Sequence, residues 1–147
     1  MIESTVSKEH IERRLDDWAY RITKLYSSIK KWLEPISLYE TKERNDVIMY
    51  EELMQKNDLP KRNLSSLDIY HKGTIVATVK PVGLWIIGAN GRVDILLKNG
   101  AVMLLDVSDS FENPKWIAYS RPKTSKGSDF CEEYFLDILG VNQSEYF

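Results

Sequence analysis

The chain has 147 residues with 20 basic and 22 acidic side chains, a net charge of −2 and a pI near 5.7. A dedicated duplex-DNA binder usually carries a basic excess, so this balance counts against one, and the length fits one domain whose core needs neither metal nor disulfide. Cys131 is the single cysteine, which excludes an intramolecular disulfide and fits a reducing compartment.

The opening MIESTVSKEH has no apolar stretch and carries Glu3, so it does not read as a secretory signal. The longest uncharged apolar run, Pro81 to Gly91, falls well short of the roughly 20 residues of a membrane helix. These features predict a cytoplasmic protein with no membrane partner.

From Ser7 to Leu33 the chain reads as one amphipathic helix (7–33). Ile11, Leu15, Trp18, Ile22, Leu25, Ile29 and Trp32 alternate spacings of four and three, with Ala19, Tyr26 and Leu33 widening the stripe. Ser7 suits the N-cap, and Pro35 stops the helix. The stripe predicts a cover for the chain's own sheet. The other use of such a seam is a homodimer through 7–33.

Ile36 to Tyr39 reads as a short extended piece in a connector. Val47, Tyr50, Leu53 and Met54 predict a second helix over 47–56, ended by Asn57-Asp58-Leu59-Pro60. Lys61-Arg62-Asn63 reads as a charged loop. Leu67, Ile69 and His71 then begin a sheet over 67–119, with a turn at Lys72-Gly73.

Thr74 to Val107 reads as a meander divided by Asn90-Gly91 and Asn99-Gly100, the pairs that favour two-residue hairpin turns. Such turns would pair Lys98 with Ala101, Leu96 with Met103 and Asp94 with Leu105. The earlier turn would pair Ala89 with Arg92, Ile87 with Asp94 and Trp85 with Leu96. One face then carries Leu84, Ile86, Val93, Ile95, Leu97, Val102, Leu104 and, at its rim, Asp106. The other mixes Trp85, Ile87, Leu96, Met103, Leu105 and Val107 with Arg92, Asp94 and Lys98. That mixed face is too apolar to be bare, so Trp85, Arg92, Asp94, Leu96 and Met103 are the candidate partner-binding residues. Opposite faces separate Asp94 from Asp106, which argues against a shared metal, and Arg92 with Asp94 reads as an ion pair.

Trp116 to Tyr119 reads as a further short strand. Lys115, Arg121, Lys123 and Lys126 lie beside Trp116 and Tyr119 and form a candidate nucleic-acid or phosphate contact. Asp129 with Glu132 suggests an acidic capping box for a last helix over 129–139, with Gly140 at its end. Cys131, in its first turn, reads as a packing residue. Tyr146 and Phe147 close a tail.

The sequence therefore predicts an α+β fold in which a long helix and a shorter one pack on an antiparallel meander of four to six strands, followed by a C-terminal helix. Neither His10 nor His71 has a metal-ligand neighbourhood, so no catalytic residue, metal or cofactor is assigned. The expected function is a small non-catalytic interaction protein: an inhibitor, an immunity or antitoxin-like protein, or an accessory subunit that binds a partner protein. The alternatives are a nucleic-acid or nucleotide binder using loop 115–126, and a small enzyme with an unrecognised site around His71, Arg92, Asp94 or Asp106.

Overall fold

The computed structural model describes residues 7–120 and 126–141. Helix α1 (Lys8–Leu33) begins at Ser7, whose hydroxyl accepts the His10 N–H at 3.1 Å. It satisfies one of the donors that a helix start leaves orphaned. Strands β1 (Tyr39–Met49), β2 (Arg62–His71), β3 (Thr74–Gly83), β4 (Arg92–Leu97), β5 (Gly100–Asp106), β6 (Trp116–Tyr119) and β7 (Ser128–Asp129) follow, with α2 (Glu52–Lys56) between β1 and β2 and α3 (Glu132–Leu139) last. The strands form one sheet in sequence order, antiparallel throughout. The α+β class holds, but among the described residues the sheet has seven strands and runs from 39 to 129, rather than four to six over 67–119.

The helix stripe meets the sheet face that the alternation picked out. Ile11, Leu15, Trp18, Ile22, Leu25 and Ile29 are buried together with Leu67, Ile69, Val79, Val93, Ile95, Val102 and Leu104. The stripe from Ile11 to Ile29 is therefore buried against the chain's own sheet, as its first reading expects. Trp32, the last seam residue, is half-buried between Phe130 and Phe135, with ring centroids 5.6 and 5.7 Å away, and this clasp ties α3 to α1. Tyr26 pins α1 to the sheet by donating to the Ser65 carbonyl at 2.6 Å and the Val79 carbonyl at 3.2 Å. Its burial pushes the phenol well above its ordinary value, so it stays a donor.

Several boundaries differ from the sequence reading. Residues 47–49 extend β1 instead of opening a helix, and α2 keeps only 52–56. Val47 pairs with Leu64 and Met49 with Arg62, so the segment read as a charged loop is the start of β2. The Lys72-Gly73 turn is present, both residues having positive φ (52° and 79°) as the tight hairpin requires. In the β4–β5 hairpin Leu97 faces Gly100, Leu96 faces Ala101 and Asp94 faces Met103. The predicted register is thus displaced by two residues, and a shift of two leaves every side chain on its predicted face. Asn90-Gly91 makes no hairpin turn: β4 pairs back to β3, Pro81 facing Val93 and Lys80 facing Asp94, and residues 84–91 connect the two. Leu84 to Ala89 are therefore not a strand. Asp129 belongs to β7, so α3 starts later than predicted, after Cys131, with no side-chain cap.

The outer sheet face holds its own polar network. Asp68, buried on β2, accepts two bonds from Arg44 and one from Thr78 at 2.8 Å, while Arg44 also reaches Asp46 and Ser66 donates to Asp46 at 2.7 Å. The Arg44 bonds hold the Asp68 carboxyl below its ordinary value, against the opposing effect of burial. A depressed carboxylate stabilises the fold above its unfolded value, near pH 4, and that contribution is lost as pH falls through the folded value. Urea midpoints measured from pH 7 downward should therefore fall more steeply below about pH 4 in the wild type than in Asp68→Asn. Parallel acid limbs in the two proteins would contradict this role for Asp68.

Candidate functional site

One end of the molecule departs from regular structure and is held by buried polar groups. It comprises the first half of α1, the 84–91 connection and the 107–115 connection. Asp106, fully buried at the end of β5, accepts from Arg21 Nη1 at 2.6 Å with one oxygen. Its other oxygen accepts from the Ser108 N–H at 2.9 Å, the Ser108 hydroxyl at 2.7 Å and the Lys115 N–H at 3.0 Å. Arg21 also bonds Asp17 at 2.6 Å, Ser108 Oγ at 2.9 Å and the Glu112 carbonyl. Burial opposes the charge on Arg21, but the bonds to Asp17 and Asp106 outweigh it and raise its pKa. The pair thus folds the 107–115 connection onto α1.

The 84–91 connection is fixed at both ends. The Glu51 carboxylate accepts the N–H groups of Leu84 and Trp85 at 2.9 and 3.3 Å. At the far end the Asn90 N–H donates to the Asp106 carbonyl at 2.6 Å, and the Gly91 carbonyl accepts the Asp106 N–H at 3.0 Å. Gly91 (φ 116°) passes so close to α1 that a Cβ there would lie 2.2 Å from the Trp18 ring, so only glycine fits. Between these anchors the chain lifts Ile87 wholly into solvent, at 103% relative exposure.

Around Ile87 lies a concavity of about 560 Å³ lined by Arg14, Trp85, Asn90, Val107 and Asp109 among others. The Arg14 guanidinium sits 6.0 Å from the Trp85 ring centroid and donates to Asn90 Oδ1 at 2.7 Å. Burial pulls its pKa down, Asp17 opposes this and Arg21 adds to it. Nearby, Arg13 lies 4.8 Å over the exposed Phe111 ring, and the His10 ring meets the same phenylalanine at 5.9 Å.

The sequence-predicted partner residues separate. Arg92, Asp94, Leu96 and Met103 do share the outer face of β4 and β5, where Arg92 pairs with Asp94 through two bonds of 2.9 and 3.0 Å. Leu96 is exposed and Met103 half-buried. Trp85 leaves them, because its segment is not a strand and its ring turns to Arg14 and the core.

Of the predicted basic group, Arg121 and Lys123 lie outside the described residues. Lys115 and Lys126 are exposed at opposite ends of β6, roughly 16 Å apart by strand rise. Trp116 packs against Trp18 at 6.2 Å and is half-buried, so it presents no free stacking platform beside them. His71 stacks on Tyr39 at 4.4 Å, Asp94 is on the outer face and Asp106 is inside, so the groups considered for catalysis do not converge. Cys131 is exposed at the start of α3, not packed as its spacing suggested. Among the described residues no three His, Cys, Asp or Glu side chains gather to hold a metal, and no helix is long and apolar enough to cross a membrane.

Sequence reasoning missed Arg14, Asn90, Glu51 and the separate role of Ile87. Four consecutive apolar residues, Leu84 to Ile87, gave a strand-like signal that hid the loop. Comparison of the chain with family models, with characterised proteins and with solved structures finds no match.

Glu51 is the group that starts the 84–91 connection. Glu51→Ala should cost about 1–3 kcal/mol, the range for leaving buried donors without a charged acceptor. Amide exchange at Leu84 and Trp85 should speed up in this variant while that of Val93 and Ile95 in β4 changes less. Unchanged exchange at Leu84 would show that the loop is held by something else.

Proposed function

We propose that the chain is a small non-catalytic protein that acts by binding a partner protein, as an inhibitor, an immunity or antitoxin-like protein, or an accessory subunit. The observation that carries this reading is Ile87, held fully in solvent by a loop tied down at both ends. Burying an isoleucine is worth about 1.5–3 kcal/mol, which a partner covering Ile87 would gain. Trp85, Val107 and Arg14 line the same concavity, and Trp85 and Arg14 are of the aromatic and arginine types that anchor interface centres. The pre-formed backbone lowers the ordering cost of association. Leu96 and Met103, with the Arg92–Asp94 pair, form a separate apolar and charged patch on the outer face, and a partner that reached both would span β4.

The chain immobilised on a solid support and exposed to a lysate of its native host should retain a specific protein. Ile87→Asp should lose that protein, with affinity reduced on the order of 30-fold or more for an anchor worth about 2 kcal/mol. Because Ile87 is wholly exposed, the variant should keep wild-type stability within about 0.5 kcal/mol. Retention of the same protein by Ile87→Asp at unchanged affinity would remove this loop from the interface.

A further inference from the structure

We propose that Arg14 and Asn90 form a receptor for one carboxylate, supplied by an aspartate or glutamate side chain of the partner. This deepens the interaction reading above and rests on it.

Arg21, Arg44, Arg62 and Arg92 each pair with a carboxylate. Arg14 has none among the described residues. Its one protein acceptor is the neutral amide oxygen of Asn90, at 2.7 Å. Its Nε is buried with no acceptor on the protein, and so is Asn90 Nδ2, on a side chain that is only 5% exposed. The two orphaned donors thus belong to residues already joined by a hydrogen bond, and both residues line the concavity beside Ile87. Both donor atoms are shut off from water, so solvent does not supply the missing acceptor, and burial draws the guanidinium partly out of water as well. Trp85, 6.0 Å away, offers only its ring face. The missing element is therefore an anion with two acceptor atoms, which a carboxylate provides in the planar form that arginine matches.

The surroundings also choose among anions. Asp17, the carboxylate that acts on Arg14 from within α1, is bonded to Arg21. Asp109 stands on the same rim, exposed, and repels a second negative charge. A single compensating cation opposite an acid favours a monoanion over phosphate. Trp85, Ile87 and Val107 give the concavity apolar walls suited to the methylene stem of Asp or Glu. An acidic side chain reaching Arg14 would pass beside Ile87, so the charged contact and the apolar anchor fall in one footprint.

The test uses the intact chain and acetyl-glutamate amide as probe, with acetyl-glutamine amide and inorganic phosphate as comparisons at constant ionic strength. Nitrogen-15 NMR should show saturable shifts of the Arg14 Nε–H and Asn90 Nδ2–H₂ signals with the glutamate probe. Binding of the glutamine analogue should be at least about tenfold weaker, as expected when a charge-assisted pair is lost, and phosphate, whose second negative charge Asp109 repels, should also bind more weakly than the glutamate probe. Arg14→Gln should abolish the response. Asn90→Asp, which supplies a carboxylate from within, should also suppress probe binding and raise the melting temperature, so the idea stays testable if Arg14→Gln fails to fold. Equal shifts with the glutamine analogue, tighter binding of phosphate, or no saturable shift would overturn the carboxylate receptor. A partner captured through Ile87 that binds Arg14→Gln as tightly as wild type would overturn the partner's acid as its occupant. Since the probe needs no partner, failure here leaves the interaction reading standing, and failure of capture leaves the receptor standing.

Discussion

The contact between Arg21 and Asp106 sets the arrangement of the end that carries the candidate site. Both side chains are essentially inaccessible, and each ion loses several kcal/mol of hydration on burial. What offsets this is complete hydrogen bonding: Asp106 accepts from Arg21, Ser108 and Lys115, and Arg21 adds Asp17 and the carbonyl of Glu112. The backbone of Asp106 also accepts the Asn90 N–H and donates to the Gly91 carbonyl. One residue therefore joins α1, the 84–91 connection and the 107–115 connection. Apolar packing of α1 on the sheet would not by itself choose where these two connections lie. The pair contributes specificity of place more than net stability.

That division explains what the sequence disclosed. The stripe from Ile11 to Ile29 and the alternation through β4 and β5 were legible because the hydrophobic effect writes them with fixed periods. The face assignment survived a register displaced by two residues for the same reason. β1 was illegible: YETKERN is mostly charged and exposed, as suits an edge strand that must resist pairing with other chains. Val47, Tyr50, Leu53 and Met54 carried helical spacing, but nine backbone pairs with β2 decide the conformation through Met49.

The candidate site was legible only in part. Trp85 and Arg92 were recognised as interface types, yet their grouping assumed a hairpin at Asn90-Gly91. That assumption used turn statistics. It could not anticipate that Gly91 is demanded by contact with Trp18, nor that the Asn90 amide serves Arg14. These are contacts across 70 or more positions of sequence, with no local signature. Arg14 has no signal of its own in the helix pattern. Its distinction is a buried Nε with no acceptor on a side chain that lacks the carboxylate Arg21, Arg44, Arg62 and Arg92 have.

Arg21 and Asp106 act as one unit that holds the 107–115 connection on α1. A double-mutant cycle with Arg21→Met and Asp106→Leu, read by urea denaturation, tests it most directly. Asp106→Leu alone should cost about 3–5 kcal/mol, because it leaves a buried guanidinium uncompensated. Adding Arg21→Met should recover part of that loss, giving a coupling energy of at least about 1 kcal/mol. Strictly additive losses would show that the two side chains act independently, and the pair could not then be what positions the site.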